Sequence, residues 1–190
     1  MTAGPYSQHI GIVVEGPGDA KSLPILLRNW LLLKEDYRDF LGKPIPCNGR
    51  ENATVQGGIE GYVATAASRP GCQAVLVVLD GEGDLVCELG PSMVQRARSV
   101  THIPVELCLA DRNWEDWLYA SAETLQMDGF SYEPGRRRSI AAALKPVKYV
   151  KPTWQPRLTA RMDISLAAER SPSLGRMLRK FDELSQLITA

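Results

Sequence analysis

Apolar residues along the first two thirds of the chain form short continuous runs separated by stretches with helical spacing. Buried parallel strands are typically short, β-branched and continuous, and three such runs are Ile10–Val14, Ala74–Leu79 and Val105–Leu109. Recurrence every three or four residues predicts helices over Ala20–Leu33, near Ile59–Ser68, over Pro91–Val100 and over Trp114–Leu125. Strands that alternate with helices predict an α/β fold with a mostly parallel sheet flanked by helices.

The last third of the chain has a different composition. Beyond Gly129, the prolines 134, 146, 152 and 156 are spaced too closely for long elements to form between them. We therefore predict an α/β domain over 1–128 and a basic, proline-interrupted extension over 129–190 that packs on the same domain. Ser171-Pro172 signals the start of a final helix, and its apolar stripe would dock on the core or, alternatively, form a homodimer.

Composition excludes some classes of protein. The chain has 190 residues, 44% hydrophobic and 23% charged, which is ordinary for one globular domain. Its apolar runs are far shorter than the roughly 20 residues of a membrane span, so no membrane association is expected. Four distant cysteines without a C-x-x-C pair, and no secretory signal, predict reduced thiols, a cytoplasmic location and no structural zinc.

Acidic loops follow the first two predicted strands. Glu15 and Asp19 follow the first strand, and Asp80, Glu82 and Asp84 follow the second. The carboxyl ends of parallel strands meet at one edge of the sheet, so these loops are expected to be neighbours. Two carboxylates about 5 Å apart repel by roughly 3 kcal/mol at an effective dielectric near 20, and Mg²⁺, Mn²⁺ or Ca²⁺ would offset this repulsion. The alternatives are that the carboxylates are solvated and that Asp19 caps a helix.

The loop over residues 16–22, Gly-Pro-Gly-Asp-Ala-Lys-Ser, ends like a phosphate-binding P-loop but is not one. A P-loop requires glycine where Ala20 and Glu15 stand. Carboxylates replace backbone donors here, so a phosphate would have to approach through a metal.

Basic residues are concentrated between Pro134 and Met162, which carry eight Lys and Arg residues and no acidic residue. Positive groups would position a phosphodiester backbone and offset charge in the transition state. Tyr149 and Trp154 lie among them, either to stack on bases or to pack in the core. Gln155 and Arg161 are candidate supporting groups. Of the acidic pair Glu115 and Asp116, one is expected to face the site and the other solvent.

These residues resemble a known family. A strand, Glu-Gly-x-x-Asp leading into a helix, and a second strand ending in Asp-x-Glu are similar to the Toprim domain of topoisomerases, primases and nucleases of the overcoming-lysogenization-defect (OLD) type. The segments "NWEDWLYAS" (113–121) and "KYVKPTWQPRLTARMDISLAAERSPSL" (148–174) resemble a bacterial Toprim-like family of unknown function. Its members are often encoded beside an AAA or OLD-type ATPase.

The resemblance implies a Rossmann-like Toprim fold and Mg²⁺- or Mn²⁺-dependent cleavage of DNA or RNA. It also implies a role as effector of a phage-defence system with an AAA or OLD-type ATPase. A non-catalytic binding module and a primase-like nucleotidyl transferase are the alternatives. The expected catalytic residues are Glu15, Asp80 and Lys148; the metal ligands are Glu15, Asp19, Asp80, Glu82 and Asp84; the nucleic-acid contacts are Lys148, Lys151, Arg157 and Arg161. Glu82 stands where aspartate is commoner, so Asp84 could share its role.

Overall fold

A computed structural model describes residues 7–82 and 86–189, with the backbone alone for 86–88. Within these residues one parallel sheet has the strand order β2-β1-β3-β4. The strands are β1 (His9–Val14), β2 (Ile45–Pro46), β3 (Cys72–Asp80) and β4 (Val105–Ala110). The predicted α/β fold with a parallel sheet flanked by helices is confirmed.

The helices account for most of the remaining regular structure. They are α1 (Pro17–Leu33), α2 (Arg50–Thr54), α3 (Gly58–Ala67), α4 (Val86–Arg98), α5 (Trp114–Tyr119), α6 (Ile140–Ala143), α7 (Lys151–Thr159), α8 (Ile164–Arg170) and α9 (Pro172–Ser185). Helix α1 begins before the predicted Ala20, because Pro17 favours the first helical position. The helix predicted over Trp114–Leu125 is instead α5 followed by a short 3-10 turn, Ala122–Thr124.

Both faces of the sheet are buried. Successive side chains of a strand point to opposite faces, so Leu76 and Val78 belong to one core cluster and Val75 and Val77 to the other. Helices α1, α5, α7, α8 and α9 contribute to the first cluster, and α3 and α4 contribute to the second. The sheet is therefore the middle layer of three.

Helix α7 includes two of the prolines whose close spacing predicts that no long element forms between them. Pro152 occupies the first turn, where a proline costs little. Pro156 cannot donate to the carbonyl of Pro152 four residues earlier, but Lys21 Nζ of α1 donates to that carbonyl at 3.4 Å. A side chain from another helix thus replaces the missing backbone donor.

The apolar stripe of the final helix packs inside the protein, as predicted for a docking face. Leu174, Met177, Leu178 and Phe181 are buried in the same core cluster as Ile10 of β1. Over residues 7–82 and 86–189, no helix has the length and apolar character needed to cross a membrane.

Candidate active site

The first two predicted acidic loops meet at the point where the strand order reverses. Strand β1 pairs with β2 on one side and with β3 on the other, and ligands of open α/β sheets bind at the carboxyl ends of strands beside such a reversal. Glu15 follows β1, and Asp80 is the last residue of β3. Glu15 Oε2 accepts a hydrogen bond from the Asp80 N–H at 3.1 Å, so the two residues are direct neighbours.

Asp19 joins them from the first turn of α1. Its Oδ2 accepts from the Gly16 N–H at 2.9 Å, and its Oδ1 accepts from Gln155 Nε2 of α7 at 2.6 Å. Gly16 is the N-cap residue and Asp19 is at N3, so the alternative that Asp19 is itself the N-cap is wrong, although its carboxylate caps the Gly16 N–H as in a capping box. Gln155 is fully buried, and its Oε1 accepts no hydrogen bond within the described residues. Gln155 therefore fixes the orientation of Asp19.

Among the described residues, Lys151 is the only lysine whose ammonium lies beside these carboxylates. Its Nζ lies 3.5 Å from both Asp80 Oδ2 and Glu115 Oε2. The Tyr149 hydroxyl donates to Glu115 Oε1 at 2.8 Å, and the Trp114 N–H donates to Asp80 Oδ1 at 3.0 Å. We call Glu15, Asp19, Asp80 and Glu115 the acidic cluster, with Lys151 as its counter-charge.

Burial makes three carboxyl groups of the acidic cluster, Glu15, Asp19 and Asp80, difficult to ionise. Asp80 is 5% exposed, and burial, followed by the neighbouring carboxylate of Asp19, raises its pKa to about 8. Burial likewise raises the pKa of Glu15 and of Asp19. Burial alone would lower the pKa of Lys151, but the surrounding carboxylates, Glu115 foremost, outweigh it and raise that pKa. The site therefore favours an added cation or a bound proton.

We expect the free energy of unfolding to decrease as pH rises from about 5 to about 8. The pKa of Asp80 rises from 3.8 to about 8 on folding, so the folded chain binds more protons than the unfolded chain in this range. The stabilisation is complete below the lower pKa and is lost as pH approaches the higher one. At about 1.4 kcal/mol per pKa unit, the decrease should be at least about 2 kcal/mol.

Urea unfolding across this pH range measures the effect, with Asp80→Asn as the matched comparison. Glu60, whose pKa is lowered to about 2 by Arg96, titrates below the window and does not mask the trend. The variant should show a shallower decrease than wild type. Equal slopes in the two proteins would contradict the assignment of the effect to Asp80.

The other predicted metal ligands lie outside the acidic cluster or outside the described residues. Glu82 has a positive φ of 51° and its Oε2 lies 3.4 Å from the Arg50 guanidinium, with 57% of the side chain exposed. Its charge still raises the pKa of Glu15. Asp84 falls outside the described residues. Of the Asp-x-Glu pair, only Asp80 contacts the other carboxylates.

The predicted basic residues differ in whether they reach the acidic cluster. Lys151 enters the site, whereas the exposed Lys148 has no ion pair with a described carboxylate. The Arg157 guanidinium lies over the Trp154 ring at 5.6 Å, and Arg161 donates to the Leu125 carbonyl at 3.2 Å. Arg161 thus holds the extension to the domain, and the lysine that lies beside the carboxylates is Lys151 and not Lys148.

The sequence predicted that one of Glu115 and Asp116 faces the site, but not which one. It did not identify Arg112, which precedes them in the same loop. The Asn113 side chain accepts from the Asp116 N–H at 3.2 Å and starts α5 directly after β4. Glu115 then faces the acidic cluster, while Asp116 pairs with Arg137 at 3.4 Å. Their place in the sequence could have identified these residues, because residues 112–116 follow the carboxyl end of a third parallel strand.

The fit of a divalent metal depends on the carboxylate oxygens that remain available. Over the described ranges 7–82 and 86–189, no three His, Cys, Asp or Glu side chains are arranged to hold one ion together. The donor chemistry nevertheless fits Mg²⁺ or Mn²⁺, because the groups are carboxylates and the buried Glu115 Oε2 accepts no hydrogen bond. Lys151 and a divalent ion would therefore compete for oxygens of Asp80 and Glu115.

The function of this chain has to be inferred from the geometry of the site, because comparisons with known proteins find no match. Helix α7 carries both Gln155 and Lys151 to the switch point, where Glu15 and Asp80 end their strands. No protein-family model, curated protein or solved structure matches this chain.

Proposed function

We propose that this protein cleaves phosphodiester bonds of nucleic acid with the help of a divalent metal, as a Toprim-type nuclease. The observation that carries the proposal is the convergence of the acidic cluster and Lys151 at the switch point of a parallel sheet. Two buried and two half-buried carboxylates beside one lysine suit phosphoryl transfer, which needs a general base, cation binding and stabilisation of developing charge.

Each side chain has a definite task in this proposal. Asp80 and Glu115 would hold Mg²⁺ or Mn²⁺, which supplies positive charge for the phosphate and activates water. Glu15 has one oxygen on the Asp80 N–H and a raised pKa, so its other oxygen is suited to accept a proton from the attacking water. The Lys151 ammonium would contact a non-bridging phosphate oxygen, and Gln155 would keep Asp19 in place.

A second candidate is a non-catalytic module that binds nucleic acid. Lys151 already compensates the charge of Asp80 and Glu115, which favours a site that needs no metal. A partnership with an AAA or OLD-type ATPase, a role in phage defence, a homodimer and a cytoplasmic location rest on sequence reasoning or family resemblance and stay predictions.

The deciding experiment is cleavage of labelled single- and double-stranded DNA and RNA by the full chain with Mg²⁺, Mn²⁺ or EDTA. We expect product only with metal, and a rate about 10²–10⁴-fold lower for Glu15→Gln, which retains an acceptor for the Asp80 N–H but cannot act as a base. The exposed Glu169→Gln is the matched control and should cleave like wild type.

Each other result has a clear meaning. Product formed equally in EDTA, or by Glu15→Gln at the wild-type rate, would refute the proposed mechanism. Salt-sensitive binding without product under any metal would favour the binding module instead.

A further inference from the structure

A cationic pocket opens beside the acidic cluster. The pocket has a volume of about 470 Å³, and its wall includes Glu115 and Lys151. The remaining charged groups on its wall are Arg112, Asp116, Arg137 and Arg138. Four cations therefore face two carboxylates in a space of the size that holds one small ligand.

The carboxylates of the described residues do not fully neutralise the positive charge of the pocket. Asp116 pairs with Arg137 at 3.4 Å, and Glu115 pairs with Lys151 at 3.5 Å. Arg112 and Arg138 form no ion pair with a carboxylate of the described residues. The surplus charge of the pocket thus lies on these two arginines.

Contacts within the protein hold the Arg138 guanidinium in place, whereas the described residues give the Arg112 guanidinium no hydrogen-bond acceptor. The Arg138 guanidinium donates to the Gly129 carbonyl at 2.8 Å and lies 5.1 Å from the Phe130 ring centroid. These contacts use few of its five donors. The exposed Arg112 side chain makes no hydrogen bond within the described part of the chain. Planar guanidinium groups with open donors are suited to bind phosphate.

Tyr149 adds an aromatic ring to the wall of the same pocket. Its hydroxyl is fixed by Glu115 at 2.8 Å, so the ring is held next to the acidic cluster. Cationic groups combined with an aromatic ring are the usual means of binding unpaired nucleotides.

We propose that this pocket binds the unpaired nucleotide next to the scissile phosphodiester, with Arg112 and Arg138 on its phosphate, and that the substrate is single-stranded nucleic acid. The inference rests on the proposed function for the position of the scissile bond. The pocket volume of about 470 Å³ lies in the range of sites that enclose one small ligand, which suits a single unpaired nucleotide beside the acidic cluster.

The test is binding of a labelled single-stranded oligonucleotide of about 12 nucleotides, compared with its duplex, by fluorescence anisotropy in EDTA. We expect tighter binding of the single strand. Arg112→Ala with Arg138→Ala should weaken that binding about tenfold or more and reduce the slope against log salt by about 0.7 per lost phosphate contact. Arg179→Ala, an exposed arginine of α9, is the matched control and should bind like wild type.

Three results would overturn the proposal: equal or tighter binding of the duplex, wild-type affinity in the double variant, or no saturable binding by wild type. Thermal unfolding of each variant, followed by circular dichroism, shows whether lost binding reflects lost structure. Because EDTA removes the metal, the result does not depend on cleavage. Hydrolysis of bis(p-nitrophenyl) phosphate by the wild-type chain with Mg²⁺ or Mn²⁺ tests the proposed chemistry separately.

Discussion

Asp80→Asn is expected to abolish metal-dependent cleavage while leaving the folded protein at least as stable as wild type. Asparagine retains an oxygen for the Trp114 N–H, which donates to Asp80 Oδ1 at 3.0 Å. It removes the buried negative charge that Lys151 faces at 3.5 Å and that a divalent ion would bind. Cleavage should decrease about 10²–10⁴-fold.

The gain in stability has the same origin as the loss of activity. Burial and the carboxylates around Asp80 raise its pKa to about 8, so removing its charge relieves repulsion within the acidic cluster. Urea unfolding near pH 8 and the cleavage assay measure the two effects. Asp163→Asn is the matched control, because Asp163 caps α8 by accepting from the Leu166 N–H at 2.9 Å, and asparagine is an equally good cap. Normal cleavage by Asp80→Asn would remove Asp80 from the mechanism.

Gly18→Ala is expected to destabilise the protein, although alanine is the better helix former. A Cβ at Gly18 would lie 2.1 Å from Gln155 Oε1 and 3.3 Å from Lys151 Cβ. Gln155 is fully buried and bonded to Asp19 at 2.6 Å, so it cannot move without losing that bond. Overpacking and the lost hydrogen bond together cost about 2–5 kcal/mol, against a helix-propensity gain of about 1 kcal/mol.

Gly61→Ala is expected to change the free energy of unfolding in the opposite direction from Gly18→Ala. Gly61 lies within α3, and a Cβ there would meet no atom within 4 Å, so alanine should stabilise by up to about 1 kcal/mol. Urea unfolding measures both variants. The double variant Gly18→Ala, Gln155→Ala should recover part of the loss, because it removes the clash. Wild-type stability in Gly18→Ala would show that α7 moves freely over α1.

Much of the fold could be predicted because its strands carry a strong local signal. The runs ending at Val14 and Leu79 are continuous and apolar, and both proved to be buried strands. Helix α7 could not be predicted in this way. Pro156 leaves the Pro152 carbonyl without its helical donor, and Lys21, which lies 131 residues before Pro152 in sequence, donates to that carbonyl instead.

Some residues of the site could likewise be predicted from local sequence, whereas others depend on helix boundaries that the sequence does not show. Glu15 and Asp80 were predictable because strand ends identify them. The choice of Lys151 over Lys148 depends on where α7 begins, and the choice of Glu115 over Asp116 depends on the helical phase set by Asn113. Neither boundary can be read from charge alone, because the basic segment offers several cations at similar spacing.

The distance in sequence between Asp19 and Gln155, 136 residues, matters while the protein is being made. A ribosome adds about 5–20 residues per second, so the carboxylates of the first strands emerge seconds before α7 does. During that interval the nascent chain has neither the amide that orients Asp19 nor the ammonium that balances Asp80. The proposed cleavage activity therefore requires α7 and cannot begin before that helix has been synthesised.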